Sequence, residues 1–183
     1  MQEKSEIIEG FYKKWSEIRK LIEKLTNDQF VMKNDPKVWS VAEEFDHVLK
    51  SATAVSSAMK VSPLMLKWKF GKPNREIRTY DEAYSRYFQK LKDVKGKPVA
   101  PSTFISEEGK VFDKENMLKH WDSTLKKFEE RINKWSDKNL DRVLLPHPLL
   151  GKMMVREILF FTHFHTEHHR KGLEKKISQL IDL

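Results

Sequence analysis

The 183-residue chain carries 35 Lys and Arg against 27 Asp and Glu, a formal net charge of +8, and no cysteine. Disulfides, thiolate metal sites and cysteine nucleophiles are therefore excluded, and any metal must take nitrogen or oxygen ligands. The charged start Met1-Gln2-Glu3-Lys4 is unlike a signal peptide, and no apolar run reaches membrane-spanning length. A cytoplasmic protein without a membrane partner is expected, folded as a single domain over residues 1–183.

Ile7, Phe11, Trp15, Ile18, Ile22 and Leu25 recur at steps of four and three, which predicts an amphipathic helix over Ser5 to Leu25. Asn27-Asp28 and Asn34-Asp35-Pro36 read as turns. Ser40 followed by Glu43 is a capping-box pair, so a helix starts there with Val41, Phe45, Val48, Ala52, Val55 and Met59 as its apolar stripe. His47 lies at the edge of that stripe with Glu43, Ser51, Ala54 and Ala58, whose small side chains would admit another helix.

In the stretch from Lys60 to Arg78, Lys67, Lys69, Lys72, Arg75 and Arg78 surround Trp68 and Phe70, with Glu76 the one acid. The leading reading is a helix end and loop whose aromatics reach the core while the lysines stay in water; contact with nucleic acid or an acidic partner is the lesser one. A short helix is expected over Leu64 to Phe70. Thr79 or Asp81 caps another through Tyr84, Tyr87, Phe88 and Leu91, stopped at Gly96-Lys97-Pro98. Val99 to Gly109 reads as an ordered crossover loop.

Asp113 to Trp135 places Leu118, Trp121, Leu125, Phe128, Ile132 and Trp135 at the spacing of a long bundle helix. Pro146 and Pro148 exclude helix until the final run from Lys152, and no stretch alternates like a strand. Along that last helix His165 and His169 share an inward face with Met154, Ile158, Phe161 and Gly172. His163 falls on the opposite side, where it would bind adventitious metal at most, and His168 sits at the margin. Two imidazoles one turn apart can hold a cation if a third ligand arrives from elsewhere, or can simply satisfy each other. The pattern predicts an all-α fold, an antiparallel four-helix bundle with long crossover connections and additional short helices.

Trp39-Ser40 with Glu43 and His47, then His147-Pro148-Leu149-Leu150-Gly151, then His165 through His168 and His169, resemble in that order the DinB-like (DinB/YfiT) helical-bundle superfamily. The resemblance implies a divalent metal held by His47, His165 and His169. Imidazole ligands suit zinc, nickel, iron or copper, with zinc or nickel expected. It also implies an activity like that of thiol S-transferases, in which the metal site activates a low-molecular-weight thiol toward an electrophile. Glu43 or His168 would orient a ligand or move a proton, while Glu44 reads as a solvated helix residue. One departure stands out: superfamily members often carry glutamine three residues after the last histidine, and here that position is Gly172. The alternatives are a metal-dependent hydrolase that activates water, and a non-catalytic stress or interaction protein with a vestigial site, which Gly172 favours. A small-molecule substrate and a homodimer are expected, and no recognition motif supports nucleic-acid binding.

Overall fold

The computed structural model describes residues 3–33, 35–94 and 100–181. Four long helices, α1 (Lys4–Glu23), α3 (Val41–Ala58), α6 (Lys114–Lys134) and α8 (Val155–Ile181), pack as a ring in which α1 and α3 each touch both α6 and α8. The expected capping box starts α3: Ser40 Oγ accepts from the Glu43 amide at 3.2 Å and Glu43 Oε2 accepts from the Ser40 amide at 2.8 Å. Asp113 caps α6 without a reciprocal partner, accepting from the Asn116 amide.

Side-chain pairs fix the helix directions. Phe11 meets Phe128 while Arg19 meets Asp122, so α1 and α6 run antiparallel. Glu44 meets His169 and His47 meets His165, so α3 and α8 do too. Lys14 with Glu167 and Glu17 with Arg170 make α1 and α8 parallel, and Phe45 with Trp121 and Ser56 with Arg131 do the same for α3 and α6. A parallel α3–α6 pair needs a chain that returns over the length of the bundle, which is why residues 59–113 form a long crossover. At the centre Trp15 stacks on Trp121 with ring centroids 4.0 Å apart.

The crossover holds α4 (Pro63–Phe70) and α5 (Tyr80–Asp93), the latter capped by Thr79. Its predicted stop at Gly96-Lys97-Pro98, the first residue of the predicted loop, Val99, and the turn residue Asn34 lie outside the described residues. Glu157, fully buried at the start of α8, pins the return from α4 to α5. It accepts from both Arg75 Nη atoms at 2.6 Å and from the Arg78 amide at 2.8 Å.

Two local predictions are corrected. Asn27-Asp28 opens a short helix, α2 (Asn27–Val31), because Thr26 and Gln29 form a reciprocal capping box. After the short helix α7 (Asp137–Leu140), strands β1 (Leu144–His147) and β2 (Gly151–Met154) pair as an antiparallel hairpin, with Leu144 opposite Met154 and His147 opposite Gly151. Four-residue strands are too short to show alternation. The turn is tied by His147 Nδ1, which accepts from the amides of Leu149 and Leu150 at 3.1 Å each, and Gly151 supplies a φ of 74°. Helix α8 then runs between α1, α3, α5 and the hairpin, and each of residues 153–166 is buried. Among the described residues no helix is long and apolar enough to cross a membrane.

Candidate metal centre

His47 sits in the second turn of α3, and His165 and His169 lie on consecutive turns of α8. The antiparallel packing of these helices brings all three rings to one point. His165 Nε2 is 3.2 Å from His47 Nε2 and 3.2 Å from His169 Nε2, and the three ligand nitrogens lie within 4.8 Å of one another. Two nitrogens bound tetrahedrally to one zinc at about 2.0–2.1 Å stand about 3.3 Å apart, so the two short edges already have ligand spacing.

The outer nitrogens decide what the inner ones can do. His47 Nδ1 donates to the Phe104 carbonyl at 3.0 Å, and His169 Nδ1 donates to Glu44 Oε1 at 2.8 Å. Carbonyl and carboxylate oxygens only accept, so both Nδ1 atoms carry hydrogen and neutral rings present Nε2 lone pairs inward. Burial, followed by the neighbouring His169, pushes the His47 pKa down to about 4 and that of His165 well below its ordinary value. His165 can direct a single Nε2 hydrogen at only one neighbour, which leaves the other edge as lone pair against lone pair. A cation between the rings removes that conflict, and the donor set fits a metal ion.

The supports are built in turn. Glu44 is buried, and its second oxygen is bound by Lys176. Burial by itself would raise the Glu44 carboxyl, but the hydrogen bonds from His169 and Lys176 outweigh it, and the pKa is lowered. Gly172 makes room for this carboxylate: a Cβ there would lie 2.7 Å from Glu44 Oε1. The Phe104 carbonyl is held by the loop that follows it, since Asp46 accepts from Ser106 Oγ at 2.7 Å and Lys110 Nζ at 2.9 Å, and Lys50 Nζ reaches the Ile105 carbonyl at 2.9 Å.

The cluster forms one wall of a cavity of about 340 Å³. Trp39, Tyr87, Phe104 and Phe161 give it an apolar lining. Ser51, Ala54 and Ala58 also line it, so their small side chains leave an open space where the sequence suggested close helix packing. His147 faces the same cavity from the hairpin. Its Nδ1 accepts two amides, so its Nε2 carries the hydrogen, and burial holds its pKa at about 4. No protein group accepts from that Nε2 among the described residues. His168 lies at the exposed rim, its ring 5.1 Å from that of His169, and burial lowers its pKa.

The structure thus brings His47, His165, His169 and His168 to one site and corrects three other expectations. Glu43 is spent on the α3 cap and an ion pair with Lys33 at 2.7 Å, and it does not line the cavity. Glu44, expected in solvent, supports the site, because α8 covers that face of α3. His163, expected on an outer face, is buried and hydrogen-bonded through Nδ1 to Tyr80 Oη at 2.9 Å, because α5 and α1 cover that side of α8. His147 and Asp46 carry no role in the sequence reading, and Glu44 is read there as a solvated helix residue. The one signal for Glu44 was the empty position at Gly172.

Bundle, converging imidazoles and open cavity define a helical protein whose three clustered histidines could hold a metal ion. A family model described as the DinB superfamily matches residues 11–172, and the chain belongs to that superfamily. No curated protein and no solved structure matches it.

Proposed function

We propose that this chain is a divalent-metal-dependent enzyme with thiol S-transferase-like activity. His47, His165 and His169 hold the metal, zinc or nickel, and a low-molecular-weight thiol is activated toward an electrophile. The observation that carries the reading is the donor set itself: two Nε2 lone pairs fixed inward by Phe104 and Glu44, beside a third, on the wall of an apolar cavity. When bound, the metal supplies Lewis acidity that favours the anionic form of a neighbouring thiol or water. Thiol use is supported by the superfamily resemblance, and a cavity of this size suits a small organic substrate.

The chain's own groups then have distinct roles. Trp39, Tyr87 and Phe161 take the apolar part of the electrophile and exclude water. His147 donates its Nε2 hydrogen to an acceptor atom of that molecule, and His168 at the rim takes the thiol proton and passes it to solvent. Sulfur forms its bond to the electrophilic carbon, and the pair of the broken bond leaves with the departing group.

Elemental analysis of untagged protein, followed by a panel of thiols and electrophiles on zinc- and nickel-reconstituted samples, tests this. The expected result is near-stoichiometric metal that is lost in His47→Ala and His169→Ala, with thiol-dependent turnover. Equal turnover with water alone would assign a hydrolase. Failure of the reconstituted wild type to retain metal would overturn the reading.

A further inference from the structure

Helix α4 buries little of itself. Leu66 is its single buried residue, and the helix rests on β1. Leu64, Met65 and Trp68 follow the i, i+1, i+4 spacing of one face of α4, and that face meets solvent: Leu64 is 77 %, Met65 62 % and Trp68 89 % exposed, with Val61 exposed just before the helix. This overturns the expectation that Trp68 reaches the core; Leu66 takes that place, because α4 offers the bundle a single narrow edge. The same stretch carries Lys60, Lys67, Lys69, Lys72 and Arg75 and no acidic residue between them. Lys67 is held by Asn139 and Arg75 by Glu157, whereas Lys60, Lys69 and Lys72 are exposed around the apolar face.

We propose that this face docks the protein on an anionic lipid surface, with Leu64, Met65 and Trp68 entering the headgroup boundary and the lysines lying against the headgroups. An apolar strip with a Trp, flanked by exposed cations, is the composition that binds in that boundary, where each lysine adds electrostatic attraction. The overall charge of +8 acts in the same direction. A second copy of the chain would bring the same cations against these. A standard protein interface takes about 20–30 residues a side, far more than one eight-residue helix presents. Surface docking needs no spanning segment, so it revises the expectation of no membrane partner, which rested on the lack of one. The inference is independent of the metal site. It would set the hairpin wall of the cavity, which α4 touches through β1, close to the lipid.

The test uses the full chain with vesicles of phosphatidylcholine mixed with phosphatidylserine, against phosphatidylcholine alone, read by co-sedimentation and tryptophan emission. Expected are binding to the mixed vesicles that falls at high salt, a blue shift lost in Trp68→Ala, and affinity reduced roughly 20-fold or more in Lys69→Glu with Lys72→Glu. All three positions are exposed, and an unchanged circular dichroism melt confirms intact folding. Absent binding at low salt, equal binding to neutral vesicles, or binding unaffected by these substitutions would overturn the proposal. A doubled mass in light scattering that Trp68→Ala reverses would assign the face to a second copy instead, and binding to polyglutamate without vesicle binding would assign it to an acidic polypeptide.

Discussion

Glu44 and Gly172 fit one another across the α3–α8 interface. A Cβ on Gly172 would lie 2.7 Å from Glu44 Oε1, and that oxygen is the one that accepts from His169 Nδ1 at 2.8 Å. Where the superfamily resemblance expects a glutamine on α8, this chain leaves space, and a carboxylate from α3 fills it. Gly172→Ala should push that carboxylate aside and free the His169 ring to rotate. Metal affinity is expected to fall by roughly 10–100-fold, the usual cost of losing a group that orients a ligand. Competition with a calibrated chelator measures it. Glu44→Gln keeps an acceptor and should lose less than Glu44→Ala, and unchanged affinity in Gly172→Ala would refute the orienting role.

Metal binding should appear as stability. A ligand that binds the folded chain alone adds about 2.7 kcal/mol when its free concentration is 100 times Kd, and for a chain of this size that raises Tm by roughly 5–10 °C. Zinc or nickel should therefore shift the melt of the wild type, a chelator should reverse the shift, and His47→Ala and His169→Ala should melt at the same temperature with and without metal. A shift that survives both substitutions would place the ion elsewhere.

Much of this fold was legible because its helices are long and amphipathic: Ile7 through Leu25 and Leu118 through Trp135 are spaced as they pack. The phase of His165 and His169 was legible for the same reason, and so was the α3 cap at Ser40. Periodicity misleads where a helix has more than one buried side. On α8 every residue from 155 to 166 is buried, so periodicity finds no outer face and misplaces His163. It misleads too for Glu44, a carboxylate whose burial depends on Lys176 and on the absence of a side chain at Gly172, partners on a distant helix. The hairpin was hidden by its four-residue strands. Trp68 shows the opposite error, since size and aromaticity argue for burial and the helix that carries it turns the other way.

Acid should weaken the metal-free protein in a defined window. His147 and His163 each titrate at about 4 in the fold against 6.5 for a free ring, because burial disfavours the charged form. Above pH 6.5 both folded and unfolded rings are neutral and nothing is lost. As pH falls from 6.5 toward 4, the unfolded chain takes up protons that the folded chain refuses, so stability declines; by about pH 5 the loss is roughly 2 kcal/mol for each ring. Urea unfolding of chelator-treated protein across this range measures it. His163→Gln removes one titrating ring and should give a shallower dependence whatever its absolute stability, and a slope equal to the wild type's would show that His163 is not held neutral.

The role given to His147 can be separated from its part in the hairpin. Its Nδ1 ties the turn by accepting from Leu149 and Leu150, and its Nε2 hydrogen is the group offered to the cavity. Asparagine can place an acceptor near the Nδ1 position and has nothing that reaches to Nε2, so His147→Asn should keep the turn and lose the donor. The expected result is unchanged metal content and a nearly unchanged melt, with kcat/KM for thiol transfer lower by roughly 10–100-fold, the worth of one hydrogen bond to a group gaining charge. His147→Phe should lose both functions and melt lower. If the His147→Asn loss appears in KM alone, the donor holds the substrate equally before and during reaction; if it appears in kcat, the bond strengthens as charge develops. Full activity in His147→Asn would leave the histidine as a turn residue, and the electrophile would then need its donor from Tyr87, which lines the same cavity and whose hydroxyl burial keeps protonated, its pKa raised to about 12.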